Sequence, residues 1–394
     1  MTTRTLLWFL AISSALAINP ILARSQTAPL AIGTWSLDSP PATCPTSAGW
    51  LAGGICKHYT VSCPGADPLG VTINYVAPNG TSNGTIAFVA AEGGGTSPNS
   101  DVGQESAFGN YYLSKGFAVV QTAWDTDWED TDTAGDSGSD SMLVAACRPA
   151  TLLSAINASS TYHPTGTAMC AQGASAGSGG AAFALEWYGA KKYLNNVELI
   201  SGPVFSDMEK GCEVPVAGNV TACSSTQYGC NNEYGNTPSW TNAPDYVDFY
   251  ITAVQGWVGG GTTGTTYSCQ NPLPAGTSPL ADQNWFNMSI LATGGDSDYA
   301  GTSMGVWVCA GAASNYQSGT CGNSHCPNNS GSEGALFGQQ FYSGHSPTPH
   351  YVFVGVNTCD GEEGVTGSLA TTPNLENAMT AIETDMTAHC KIGQ

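Results

Sequence analysis

Residues 173 to 177 read Gly-Ala-Ser-Ala-Gly, a G-x-S-x-G pattern. A serine at its centre can be thrust out at a sharp turn between a strand and a helix. The small neighbours relieve a crowded backbone, and the helix N-terminus favours developing negative charge. The chemistry this suits is nucleophilic attack on a carbonyl carbon. A chain with 49 glycines meets the pattern by chance about once, and a second match does occur, Gly301-Thr302-Ser303-Met304-Gly305. Context separates the two. Ser175 follows the apolar run TGTAMCAQ and precedes a small-residue helix, AGSGGAAFAL, whereas Ser303 follows a polar loop and precedes the β-like Val306-Trp307-Val308. Ser175 is therefore the candidate nucleophile.

A serine so placed needs a sheet beneath it. Short apolar runs mark buried strands at 84–91, 117–123, 165–172, 197–200, 288–293 and 350–356, after β-branched runs at 58–63 and 71–76. Helical patterns fall between them at 106–115, 141–156, 176–188, 334–342 and 375–389. The alternation predicts an α/β fold, a mostly parallel central sheet flanked by helices. Residues 27–60 and 301–329 read as irregular. Between about 204 and 284 the alternation breaks; this stretch holds Cys212, Cys223, Cys230 and Cys269 and reads as a disulfide-rich insertion or cap, with a helix opening at 242–244.

With the elbow pattern, the Gly-rich loop after an early strand and the strand order in view, the chain resembles the α/β-hydrolase superfamily over roughly residues 55 to 390, and within it a secreted esterase or polyester depolymerase. The resemblance implies an acid after the insertion. Gly295-x-x-Asp298 is similar to the G-x-x-D found there, which favours Asp298 over Asp296. It also implies that backbone N–H groups of the loop Glu92-Gly93-Gly94-Gly95 join that of Ala176 in an oxyanion hole, contributed by Gly93 and Gly94, with Glu92 where a histidine is frequent. The general base is expected in the loop after the last strand. That loop holds no histidine, and Thr358 stands near the expected position. His58 and His163 precede strands, His350 begins one, and His389 ends a helix leading away, which places all four far from the sheet's carboxyl edge. His325, between Cys321 and Cys326, is then the candidate base, ahead of His345.

Composition bounds the partners. Nine Lys and Arg against 30 Asp and Glu give a formal charge of −21, which repels a phosphate backbone and argues against nucleic acid. Arg4, the apolar run 6–16 and Ala15-Leu16-Ala17 read as an export signal, taken as residues 1–23, ahead of a single domain over 24–394. No later run is long enough to span a bilayer, so a secreted or periplasmic location is expected. All 14 cysteines follow the signal, an even number that suggests disulfides; no C-x-x-C occurs, so no metal site and no cofactor is expected. The acidic stretch Asp125, Asp127, Glu129, Asp130, Asp132 lacks the glycine and closing glutamate of a calcium loop. Trp124, Trp128, Trp240, Tyr246, Tyr250 and Trp257 are candidates to line an apolar cleft or to fill the core. Two readings remain open at this point. One is a serine hydrolase that cleaves a small-molecule or polymeric ester through an acyl-enzyme, with a peptide bond as the alternative target. The other is a hydrolase-fold binding or scaffold protein that lacks its base.

Overall fold

The computed structural model describes residues 28–38, 40, 44, 49–90, 95, 97–98, 104–128, 142–174, 176–200, 295–296, 299–309, 350–354 and 373–393. Within these, nine strands form one sheet: β1 (Thr34–Leu37), β2 (Ile55–Cys63), β3 (Ala66–Val76), β4 (Gly84–Phe88), β5 (Phe117–Trp124), β6 (Ala168–Ala174), β7 (Asn196–Ile200), β8 (Ser303–Cys309) and β9 (His350–Val354), in the spatial order β1-β2-β3-β5-β4-β6-β7-β8-β9. β1, β2, β3 and β5 pair antiparallel; every pair from β5 through β4, β6, β7 and β8 to β9 is parallel. The parallel strands are covered on both faces, which is why β4, β5, β6 and β7 are continuous buried runs with no polar alternation.

The helices are α1 (Gln104–Ser114), α2 (Met142–Ala145), α3 (Cys147–Ala158), α4 (Ala176–Tyr188) and α5 (Pro373–His389). α3 and α4 pack on one face around Leu152, Leu153, Phe183, Leu185 and Val197; α1 and α5 cover the other around Phe108, Tyr112, Ile200, Trp307, Ile382 and Met386. Disulfides Cys44–Cys56, Cys63–Cys147 and Cys170–Cys390 tie the sheet to its surroundings, the last fixing the end of α5 to β6. None of the three involves the 204–284 insertion, whose cysteines lie outside the described residues. Among the described residues no helix is long and apolar enough to cross a membrane.

Several boundaries differ from the sequence reading. Residues 27–60 are not wholly irregular, since β1 and the start of β2 lie there. The 141–156 helix is two, broken at Ala146. The 301–329 stretch contains β8, the strand that follows the insertion and pairs with β7. Gly305 interrupts its apolar pattern, so only the β-like Val306-Trp307-Val308 stands out in sequence. The expected strand 288–293 and helices at 242–258 and 334–342 fall outside the described residues.

Candidate active site

Parallel pairing sets Phe88, Trp124, Ala174, Ile200, Cys309 and Val354, the last residues of six strands, along one edge of the sheet. In open sheets of this kind the ligand crevice lies outside that carboxyl edge. β6 ends at Ala174 and α4 begins at Ala176, so one residue, Ser175, separates strand from helix. Ser175 itself lies outside the described residues, but the turn that holds it is defined on both sides.

The two glycines of the pattern are dictated by close approach. A Cβ on Gly173 would collide with the Gly177 carbonyl and come within 2.6 Å of the Ser178 nitrogen. A Cβ on Gly177 would collide with the Ala90 carbonyl oxygen and sit 3.0 Å from its carbon. These obstacles are backbone, which cannot swing aside. The start of α4 is thus pressed against the end of β4. The Val89 amide, donating to the Gln172 carbonyl at 2.9 Å, extends the pairing of β4 and β6 to that point. The Gly-rich loop departs from Ala90. Gly93 and Gly94 are outside the described residues; Gly95, which closes the loop, has φ +84° and returns against Ala90 and Trp124. The backbone nitrogen of Ala176 opens α4. The segments that carry Ser175, Ala176, Gly93 and Gly94 therefore leave adjacent strand ends.

The second G-x-S-x-G is no elbow. Ser303 opens β8 at the opposite edge, buried, its amide donating to the Asn195 carbonyl at 2.8 Å.

Four of the six histidines are placed, and none is at the elbow. His58 is inside β2, not ahead of it; Nδ1 lies 3.0 Å from Asp38 Oδ2 and Nε2 3.1 Å from the Asp125 carboxylate. β2 is four strands from β6, roughly 19 Å at the spacing of neighbouring strands. His163 precedes β6 at the opposite edge, and burial pulls its imidazole below the usual histidine range. His350 starts β9 at that same opposite edge, and His389 ends α5, with Nδ1 3.1 Å from Asp385 Oδ1. His325 and His345 lie outside the described residues, on the chain between the carboxyl end of β8 and the start of β9.

The segment after the insertion is anchored far from the elbow. The Asp296 amide donates to the Glu186 carbonyl, and its carboxylate meets Lys191 Nζ at 2.6 Å, with a relative side-chain exposure of 7%. Tyr299 donates its hydroxyl to Glu186. Glu186 and Lys191 belong to the far end of α4 and the turn after it, about 15 Å along the helix from Ala176. Asp296 is thus a structural ion pair. Asp298 is outside the described residues, between two residues, Asp296 and Tyr299, that are both docked there.

Two other sets are placed in part among the described residues. Trp124 and Trp128 are fully buried in the core on the α3–α4 face and line no cleft. Asp125 is engaged by His58, so the acidic stretch begins with a carboxylate already partnered. The remaining acidic and aromatic candidates of these two sets, apart from Asp127, fall outside the described residues. Sequence reasoning missed Arg148, which is buried in α3 and donates to the Asp67 and Trp128 carbonyls at 2.8 and 2.9 Å, holding the chain just beyond β5.

The described elements form a mostly parallel sheet flanked by helices, the α/β class expected from the sequence. No family model matches the sequence, and no curated protein matches it. Among solved structures, a hypothetical protein from Pseudomonas aeruginosa is 12% identical over 90% of this chain and 99% of its own, with a TM-score of 0.44. A bacterial heroin esterase is 14% identical over 84% of each chain, TM-score 0.41. A putative thioesterase from Silicibacter is 20% identical, but the match spans only 35% of this chain and 46% of that one, TM-score 0.24. At these values the likeness adds nothing to the architecture read directly from the strand order.

Proposed function

We propose that the chain is an exported serine esterase with Ser175 as nucleophile. The observation that carries this reading is the steric crowding at Gly173 and Gly177, which leaves a single residue between β6 and α4 at the carboxyl edge of the sheet. Such a turn costs backbone freedom and two side chains, and its use is to present the residue at its apex.

In the mechanism Ser175 Oγ attacks the ester carbonyl as an imidazole takes its proton. The oxyanion accepts hydrogen bonds from the Ala176 amide and from Gly93 and Gly94. The alcohol leaves with the imidazole's proton, and water hydrolyses the acyl-enzyme by the same steps in reverse roles. The imidazole is assigned to His325: the four placed histidines sit elsewhere, and β8 delivers the chain to the carboxyl edge at Cys309. Asp298 is the orienting carboxylate by the family pattern. Its neighbours on the far end of α4 favour a carboxylate that follows a strand end instead, and Asp360, six residues beyond Val354, is one. The Asp298→Asn and Asp360→Asn variants separate the two. The signal at 1–23 and the paired cysteines support export.

Pre-steady-state hydrolysis of a p-nitrophenyl ester tests the function. The reading requires a burst of nitrophenolate, one per chain, that is absent in Ser175→Ala. The competing reading, a binding protein without a base, is favoured by the absence of histidine from residues 355–372; it requires that neither protein shows a burst.

A further inference from the structure

β5 holds the end of β4 by side chains. The register between the two strands ends at Ala87–Val120, whereas β5 runs on to Trp124 in its pairing with β3. β4 meanwhile continues beside β6, through Phe88–Gln172 and the Val89 amide. On the β5 side, Thr122 and Trp124 bridge the gap that opens. Residues two apart on a strand share a face, and both of these are buried. Thr122 Oγ1 lies 2.9 Å from the Phe88 oxygen and 3.0 Å from the Val89 oxygen, so one hydroxyl proton is shared between two carbonyls. Trp124 Nε1 donates to the same Val89 oxygen at 3.3 Å.

Trp124 also meets the point where the Gly-rich loop returns. A Cβ on Gly95 would come within 2.9 Å of Trp124 Cδ1 and 2.6 Å of Ala90 Cβ, and the φ of +84° there suits only glycine. One indole therefore touches both the residue before the loop's departure and the residue that closes it. The ring is 2% exposed and packed in the core, so it has no room to swing. Ala90 completes the connection, because its carbonyl is also what the start of α4 abuts at Gly177. The indole, the two loop ends and the turn at Ser175 thus form one continuous set of contacts.

We infer that Trp124, seconded by Thr122, is a positioning residue for ester hydrolysis: it fixes both ends of the Gly-rich loop against the turn at Ser175, a role that rests on the reading of that loop as part of the oxyanion hole. Trp124 touches no substrate and acts through the backbone at Val89, Ala90 and Gly95. Donors to an oxyanion stabilise charge only when they are aimed at the place where it develops. Ground-state binding of an uncharged ester depends little on that aim. A loosened loop therefore lowers kcat and leaves KM nearly unchanged. It also weakens the preference for oxygen at the reacting carbonyl, since sulfur in that place accepts hydrogen bonds poorly whether or not the donors are well aimed.

The experiment compares a p-nitrophenyl ester with its thiono counterpart, in which sulfur replaces the carbonyl oxygen. Trp124→Phe keeps an aromatic ring and removes the N–H. It is expected to lower kcat on the ester about ten-fold, to hold KM within about two-fold, and to narrow the ester-to-thionoester rate ratio several-fold. Trp128→Phe is the control, a buried indole whose Nε1 has no partner among the described residues; a comparable fall in melting temperature is expected with both kinetic quantities unchanged. Should Trp124→Phe fail to fold, Thr122→Val removes the shared hydroxyl with its shape kept and is expected to shift kcat and the ratio in the same direction, with Thr122→Ser restoring them. A wild-type chain with a nitrophenolate burst, beside a Trp124→Phe that keeps its kcat or loses rate equally on both substrates, would overturn the inference alone. A wild-type chain with no burst would remove the esterase reading and this role with it.

Discussion

Replacing Gly177 with alanine asks whether the turn around Ser175 is built for presentation. The new Cβ would overlap the Ala90 carbonyl oxygen and lie 3.0 Å from its carbon, where carbon atoms in contact prefer about 3.5–4.0 Å. Relief of the oxygen overlap requires α4 and the end of β4 to separate by roughly 1 Å or more. The Val89–Gln172 hydrogen bond resists this on one side and the Gly173–Gly177 contact on the other. Overpacking of this size costs about 1–3 kcal/mol of stability, so the protein is expected to fold. The displacement falls on the oxyanion donors and on Ser175 together, and a shift approaching 1 Å at a reacting centre costs about 100-fold in rate. The assay is the second-order rate constant for ester hydrolysis beside the melting temperature. Gly180→Ala, one turn along α4, is the control: its Cβ meets only side chains, Pro149 at 3.2 Å and Val89 at 3.3 Å, and helix propensity favours the change by up to about 1 kcal/mol. Gly177→Ala that folds and keeps a rate within two-fold of wild type would refute the reasoning.

Three further outcomes are expected. Asp296→Asn breaks a buried pair with Lys191, so the melting temperature falls while the rate of acylation stays unchanged, because the pair lies at the far end of α4; a large loss of rate in folded protein would return Asp296 to the site. Replacing both Cys170 and Cys390 with serine opens a loop of 220 residues and lowers stability by about 5 kcal/mol in the chain-entropy account, measured by urea unfolding. Arg148→Met strips three hydrogen bonds to main-chain carbonyls in a buried setting and costs about 3 kcal/mol, read the same way.

The sequence made some of this legible and hid the rest for physical reasons. β4, β5, β7 and α4 stand out because strands covered on both faces are uninterrupted apolar runs and because α4 starts where the elbow pattern ends. β8 shows in sequence only as the β-like Val306-Trp307-Val308, because Gly305, which faces Glu198 in another strand, breaks the run and no local pattern records that contact. His58 falls at the visible start of the strand pattern because β2 begins three residues earlier, in Ile55-Cys56-Lys57, where a lysine and a disulfide cysteine dilute the β signal. The elbow was legible because its whole logic lies within five consecutive residues. The acid and base were not, since their identity depends on which edge of the sheet a distant segment reaches. For Asp296 only the Lys191 contact shows that edge to be the wrong one.

The most direct test of the central claim is covalent. The purified, disulfide-bonded chain is treated with a fluorophosphonate probe, digested and mapped by mass spectrometry, with Ser175→Ala beside it. The account predicts one adduct per chain, on Ser175, and none in the variant. A folded wild-type chain that takes no label, or takes it equally in Ser175→Ala, would contradict it.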